Sequence, residues 1–163
     1  MRTCCVLILA TALVGFGKEP DPGQIPTNSL RIAVVQQSAN PGKPEQNRDK
    51  ALRSAAEALE QGADIILFHE ELCLGYVPDP RPFAEPLDGP TTRAFQNLLR
   101  GRQSLIIYGL TEREGDRYYI SAPVISAAGV LTNYHKTHLW WKANGPRHEL
   151  GDLLLGRRPL GHL

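Results

Sequence analysis

The stretch Gly62 to Tyr76, GADIILFHEELCLGY, constrains the fold of this chain more than any other. Its apolar run Ile65-Ile66-Leu67-Phe68 breaks off in His69-Glu70-Glu71, and Gly75-Tyr76 then leads into a proline-dense loop. A short β-branched and aromatic run between glycine and charged residues predicts a buried strand. In α/β folds, ligand chemistry collects at the carboxyl ends of such strands. Glu70 is therefore a candidate catalytic carboxylate. The blander alternative is a solvated strand-end acid, since acids are mostly exposed.

The neighbouring pattern supports an α/β class. Residues 30–37, LRIAVVQQ, read as a buried strand. Residues 44–61 read as a helix with Pro44 in its first turn and Ala51, Leu52, Ala55, Ala58 and Leu59 on one apolar face. Gly62 follows as a C′ glycine, and residues 64–68 form the next strand. Strand, helix and strand with short joins make the two strands parallel neighbours. Residues 77–90 form a loop rich in proline, and long loops in compact domains are often functional. A helix at 91–100, with Phe95, Leu98 and Leu99 inward, precedes a third buried strand at 104–110. Glu114-Gly115-Asp116 predicts a hairpin turn into strands at 118–126 and 130–134.

Length and charge bound the rest. The chain has 163 residues, the size of one domain, and a formal charge of +1. Nothing resembles a basic patch, so no nucleic-acid partner is expected. Three cysteines, Cys4, Cys5 and Cys73, make no disulfide framework. Residues 1–17 read as a signal peptide: Arg2 supplies the positive charge, Val6 to Phe16 are apolar, and Gly15 and Gly17 suit a cleavage site. The expectation is export, to the periplasm or the exterior, with Cys73 the only thiol of the mature chain. The alternative for this segment is a buried N-terminal strand or helix. Residues 18–29, with Pro20, Pro22 and Pro26, are a linker, and residues 30–163 carry the domain.

A second polar cluster runs Tyr134-His135-Lys136-Thr137-His138. Lys136 ends a strand as Glu70 does, and a lysine fixed there can stabilise an oxyanion; the alternative is an ordinary surface lysine. His135 and His138, with His148 and Glu149 as weak further ligands, do not make a convincing zinc site. His69-Glu70-Glu71-Leu72-Cys73 misses the H-E-x-x-H pattern by its last residue. No phosphate loop or G-x-S-x-G elbow is present. No metal and no cofactor are expected.

LRIAVVQQ, Asn47, GADIILFHEELCLGY, Gly109, YYISAPVISAAGVLTNYHKTHL and Glu149-Leu-Gly-Asp together resemble the carbon–nitrogen hydrolase (nitrilase) superfamily. The resemblance implies an αββα sandwich and a Glu-Lys-Cys site that hydrolyses non-peptide C–N bonds in small-molecule amides or nitriles. It implies Glu70 as general base, Lys136 as the transition-state lysine and Glu149 as a second glutamate. His69 stands where the family more often has proline.

The nucleophilic cysteine of that family lies tens of residues beyond the lysine, and no cysteine follows Cys73 here. The resemblance thus implies a truncated half of the sandwich, inactive by itself and with an open sheet face inviting self-association. Two other readings stand beside it: an exported, non-catalytic α/β binding or assembly protein, and a split enzyme whose cysteine is on a separate chain. Cys73, between Leu72 and Leu74, reads as an inert buried thiol.

Overall fold

A computed structural model describes residues 29–137, together with the backbone of a strand at Cys5–Thr11. One mixed sheet dominates, made of β1 (Cys5–Thr11), β2 (Leu30–Gln36), β3 (Ile65–Phe68), β4 (Leu105–Ile107), β5 (Leu110–Glu114), β6 (Arg117–Ser126) and β7 (Gly129–His135). Helices α1 (Pro44–Glu60) and α2 (Pro90–Leu98) complete it, and Arg81–Phe83 form a single 3-10 turn in the loop between. β2, β3 and β4 are parallel, while β1, β5, β6 and β7 pair antiparallel.

The expected strand–helix–strand unit forms for the reasons its sequence suggests. Pro44 opens α1, and Ala51, Ala55 and Ala58 are wholly buried. Gly62 takes φ +79°, and the bonds Gly62 N–H to Leu59 O and Ala63 N–H to Ala58 O close the helix in a Schellman motif. The segment Cys5–Thr11 lies antiparallel along β2 as an edge strand.

The two helices cover one face of the sheet. Ala33, Val35, Ile66, Phe68, Ile106 and Ile125 point into this core. Phe95 of α2 packs between Phe68 and Tyr108 with its ring tilted to both, centroids 5.4 and 5.1 Å away. The opposite face carries Ile32, Val34, Ile65, Leu67, Leu105 and Ile107, aligned by the parallel register. Val34 and Leu67 on it are 39% and 38% exposed. Strands apolar on both faces need cover on both, and the described residues supply it on one.

One expectation is corrected. Residues 104–110 do not form a single strand ending at Leu110; β4 stops at Ile107 and β5 runs on to Glu114. Both halves keep one register against β6: Ile106 faces Ile125 and, four residues on, Leu110 faces Ser121. The gap falls at Tyr108-Gly109, opposite Pro123, which has no N–H to donate.

Candidate active site

β3 delivers Glu70 to the carboxyl edge of the sheet, where the backbone is held tightly. Gly109 N–H donates to His69 O at 3.2 Å, and Leu72 N–H donates to Gly109 O at 3.3 Å. Only glycine allows this approach: a Cβ at Gly109 would lie 2.6 Å from Glu70 Cα and 2.6 Å from Glu71 N. Glu71 sits at φ +54° and is nearly buried, a conformation costing a non-glycine residue about 1–3 kcal/mol. Thr111 Oγ1 donates to Glu71 Oε2 at 2.7 Å, while Leu74 and Gly75 N–H both donate to Glu71 O. Burial pushes the Glu71 carboxyl above its ordinary 4.5, against the Thr111 hydrogen bond. Asn47 of α1, wholly buried, braces the far side by donating to Asn40 O and Cys73 O, each at 2.8 Å.

Lys136 is the first residue past β7, and its N–H donates to Ile120 O at 2.8 Å. Its Nζ donates to both oxygens of Glu70, at 3.0 and 2.8 Å. Two residues 66 apart in sequence thus form one ion pair, with the Glu70 side chain 43% and that of Lys136 28% exposed. Beside them, on the uncovered face, opens a cavity of about 280 Å³ walled by Leu67, Ile107, Ile120, Ala122 and Tyr134. Glu149, the third expected residue, lies outside the described residues, as do His138 and His148.

Cys73 is buried on the helix side, its Sγ 3.4 Å from Thr91 Oγ1. Burial pushes its thiol up to about 11, so it is protonated at neutral pH and a poor nucleophile. Glu85 turns its carboxylate on Thr91, receiving both N–H and Oγ1–H at 2.8 Å, and so caps α2. Among the described residues, no three His, Cys, Asp or Glu side chains are grouped to hold a metal ion.

Sequence reasoning passed over Glu112. It is buried in β5, and its Oε2 accepts from Ser121 Oγ, from Asn133 Nδ2 at 2.7 Å and from His135 Nε2 at 2.9 Å. Asn133 Nδ2 and His135 Nε2 lie 3.1 Å apart because both donate to the same oxygen. The serine hydroxyl turns to the carboxylate and not the imidazole, so this is no Ser-His-Glu nucleophile. The available signal was parity: Glu112 shares the inward side of its strand with Leu110.

Residues 31–156 match the carbon–nitrogen hydrolase family. A nitrilase of Pyrococcus abyssi is 30% identical over 118 residues, covering 69% of this chain and 45% of that protein. An (R)-stereoselective amidase of a Pseudomonas species is 28% identical over 113 residues, covering 68% of this chain and 41% of that one. The crystal structure of an amidase from a Nesterenkonia species superimposes with a TM-score of 0.65 at 30% identity, covering 80% of this chain and 49% of its own. A mutant of that amidase has been seen in complex with butyramide. The chain spans less than half the length of the curated relatives it matches.

Proposed function

The chain belongs to the carbon–nitrogen hydrolase family, and we propose that it carries the Glu70–Lys136 part of a site hydrolysing a small-molecule amide or nitrile. The observation that carries this is the two-pronged contact of Lys136 Nζ with Glu70 at the mouth of the cavity. A carboxylate there takes the proton of an incoming thiol, and the thiolate adds to the amide or nitrile carbon. The ammonium, held beside Glu70, donates to the negative charge developing on the substrate. With an amide, Glu70 then returns the proton to the departing nitrogen. With a nitrile, the proton goes to the nitrogen of the thioimidate, and one water displaces that nitrogen as ammonia. Water then releases the acyl group in both cases. Glu149 is proposed as the second glutamate of the site. Apolar walls favour an uncharged substrate, and the butyramide bound by the Nesterenkonia amidase mutant is of this kind.

The thiol in this scheme is not Cys73, whose burial keeps it protonated. These 163 residues alone are therefore proposed to be inactive, the thiol coming from further coding sequence or a separate polypeptide. The test is ammonia release from butyramide and butyronitrile, by the chain alone and by the product of any reading frame that adds a cysteine strand beyond codon 163. Turnover by the chain alone that vanishes in Cys73→Ala would overturn the assignment of the thiol. Turnover by the completed protein that survives both Glu70→Gln and Lys136→Met would overturn the assignment of the site.

The unreactive state of Cys73 also favours a second reading, an exported α/β protein that keeps this half-site for binding and not for turnover. Export itself is proposed from the charged and apolar pattern of residues 1–17. N-terminal sequencing from a secreting host should begin near Lys18, and a retained Met1 would refute it. Removal of that segment would also strip β1 and uncover the β2 edge.

A further inference from the structure

We propose that His135 and Glu112 form a positioning pair that sets Lys136 on Glu70. The inference rests on the functional reading above, in which Lys136 must meet a developing charge at a fixed place. β7 is half-exposed, and its ladder with β6 is interrupted by a register shift between Val124 and Ile125. The last rung before Lys136 is Ser121 opposite His135. A ladder ending so close to solvent frays unless side chains hold it.

Three contacts meet at that rung. His135 Nε2–H donates to Glu112 Oε2 at 2.9 Å. The His135 ring lies flat on Tyr119, 4.0 Å between centroids at 5°. Asn133, two residues earlier on β7, donates to the same Oε2 at 2.7 Å. Glu112 is itself 4% exposed and also receives Ser121 Oγ, so it cannot follow a moving strand end into water. A buried carboxylate that loses a donor is costly, so His135 is drawn back to it. The next residue is Lys136, whose backbone N–H bonds Ile120 O and whose Nζ bonds Glu70. Glu112 thus fixes the height of β7, and β7 fixes the reach of the ammonium. Neither Glu112 nor His135 lines the cavity; they reach it only through Ser121, Tyr134 and Lys136, which separates this role from catalysis.

The experiment uses the full 163-residue chain with 15N-labelled lysine. The side-chain ammonium signal of Lys136 is identified by its disappearance in Lys136→Met. A bonded ammonium exchanges its protons slowly and gives a visible signal. In His135→Leu that signal should be lost to fast exchange while the backbone amide spectrum stays dispersed, and in His135→Arg, which restores a donor to Glu112, it should return. Glu112→Gln, which keeps an acceptor for Ser121, should weaken the signal in the same direction. A Lys136 signal unchanged in His135→Leu would overturn the proposal, as would His135→Arg behaving like leucine. Unfolding of both His135→Leu and Glu112→Gln would also overturn it, because the pair would then be needed for folding and not for placement. Failure of a completed protein to release ammonia, with the lysine signal still dependent on His135, would defeat the functional reading alone.

Discussion

Gly109 and Glu70 meet backbone to backbone, with no room between them for a single methyl group. The atoms in the way belong to the peptide joining Glu70 to Glu71, so no side chain can swing aside to relieve the contact. Gly109→Ala should therefore cost at least the ~1–3 kcal/mol typical of overpacking, and it should displace Glu70 from Lys136. Urea unfolding measures the first effect. An unchanged midpoint would show that the strand can retreat without penalty.

The Glu70–Lys136 pair should behave in the opposite way. Both side chains are partly exposed, and such pairs contribute about 1 kcal/mol or less. Glu70→Gln and Lys136→Met should leave the urea midpoint nearly unchanged in the chain alone. In a completed, active protein the same substitutions should reduce kcat/KM by roughly two orders of magnitude or more. A large loss of stability without loss of activity would make the pair structural.

Cys73 gives a pH signature on the alkaline side. Its thiol is pushed up to about 11, first by burial, while an unfolded thiol ionises near its ordinary 9.0. The folded chain therefore holds a proton that the unfolded chain releases. This contribution to stability is complete below pH 9 and declines as pH rises from 9 towards 11. Cys73→Ala should flatten that decline, although it removes packing at every pH. Peptide mapping should also find Cys73 resistant to iodoacetamide in native protein at pH 8 and readily labelled in urea, read apart from Cys4 and Cys5.

Glu71 gives the acid-side counterpart. Burial raises its carboxyl above 4.5, so the folded state keeps the proton after the unfolded state has lost it. Its contribution is complete below about pH 4.5 and is lost as pH rises through the folded value. Glu71→Gln keeps an acceptor for Thr111 and carries no charge. It should stabilise the chain at pH 7 relative to pH 4, and a variant equally affected at both values would refute the sign.

The uncovered sheet face predicts association. Val34 and Leu67 lie on it in adjacent strands, exposed and in register, and wide apolar patches are uncommon on soluble monomers. The 163-residue chain should bind ANS and elute larger than a monomer, and Val34→Lys should reduce both effects. A clean monomer with a cooperative melt and no dye binding would show the face to be self-sufficient, and would favour the binding-protein reading.

Where the chain's neighbours in sequence decide its structure, the sequence was readable. The alanine face of α1, the Gly62 stop and the apolar run of β3 are all local signals, and each element forms within a few residues of its expected place. Glu70 and Lys136 were legible as separate strand ends, but their meeting across 66 residues depends on sheet order. The break between β4 and β5 was hidden because the groups that meet it, the Glu70 peptide after β3 and Pro123 of β6, are distant in sequence. The spacing of His135 to His138 points to a metal ligand and away from its actual role. Its partner is Glu112, a strand-interior acid whose inward parity was the one clue.

The unbroken register across Tyr108-Gly109 sets a limit on how genes for this fold can drift in length. Residues 106 to 114 keep step with β6 although two of them have left the ladder. Deleting or inserting one codon there would turn every later side chain of β5 to the opposite face. Glu112 would swing away from His135, and Thr111 away from Glu71. The turn at Gly115, where nothing lies within 4 Å of an added Cβ, faces no such demand. Length variation should therefore gather at that hairpin tip and be purged from the two residues that have no rung with β6.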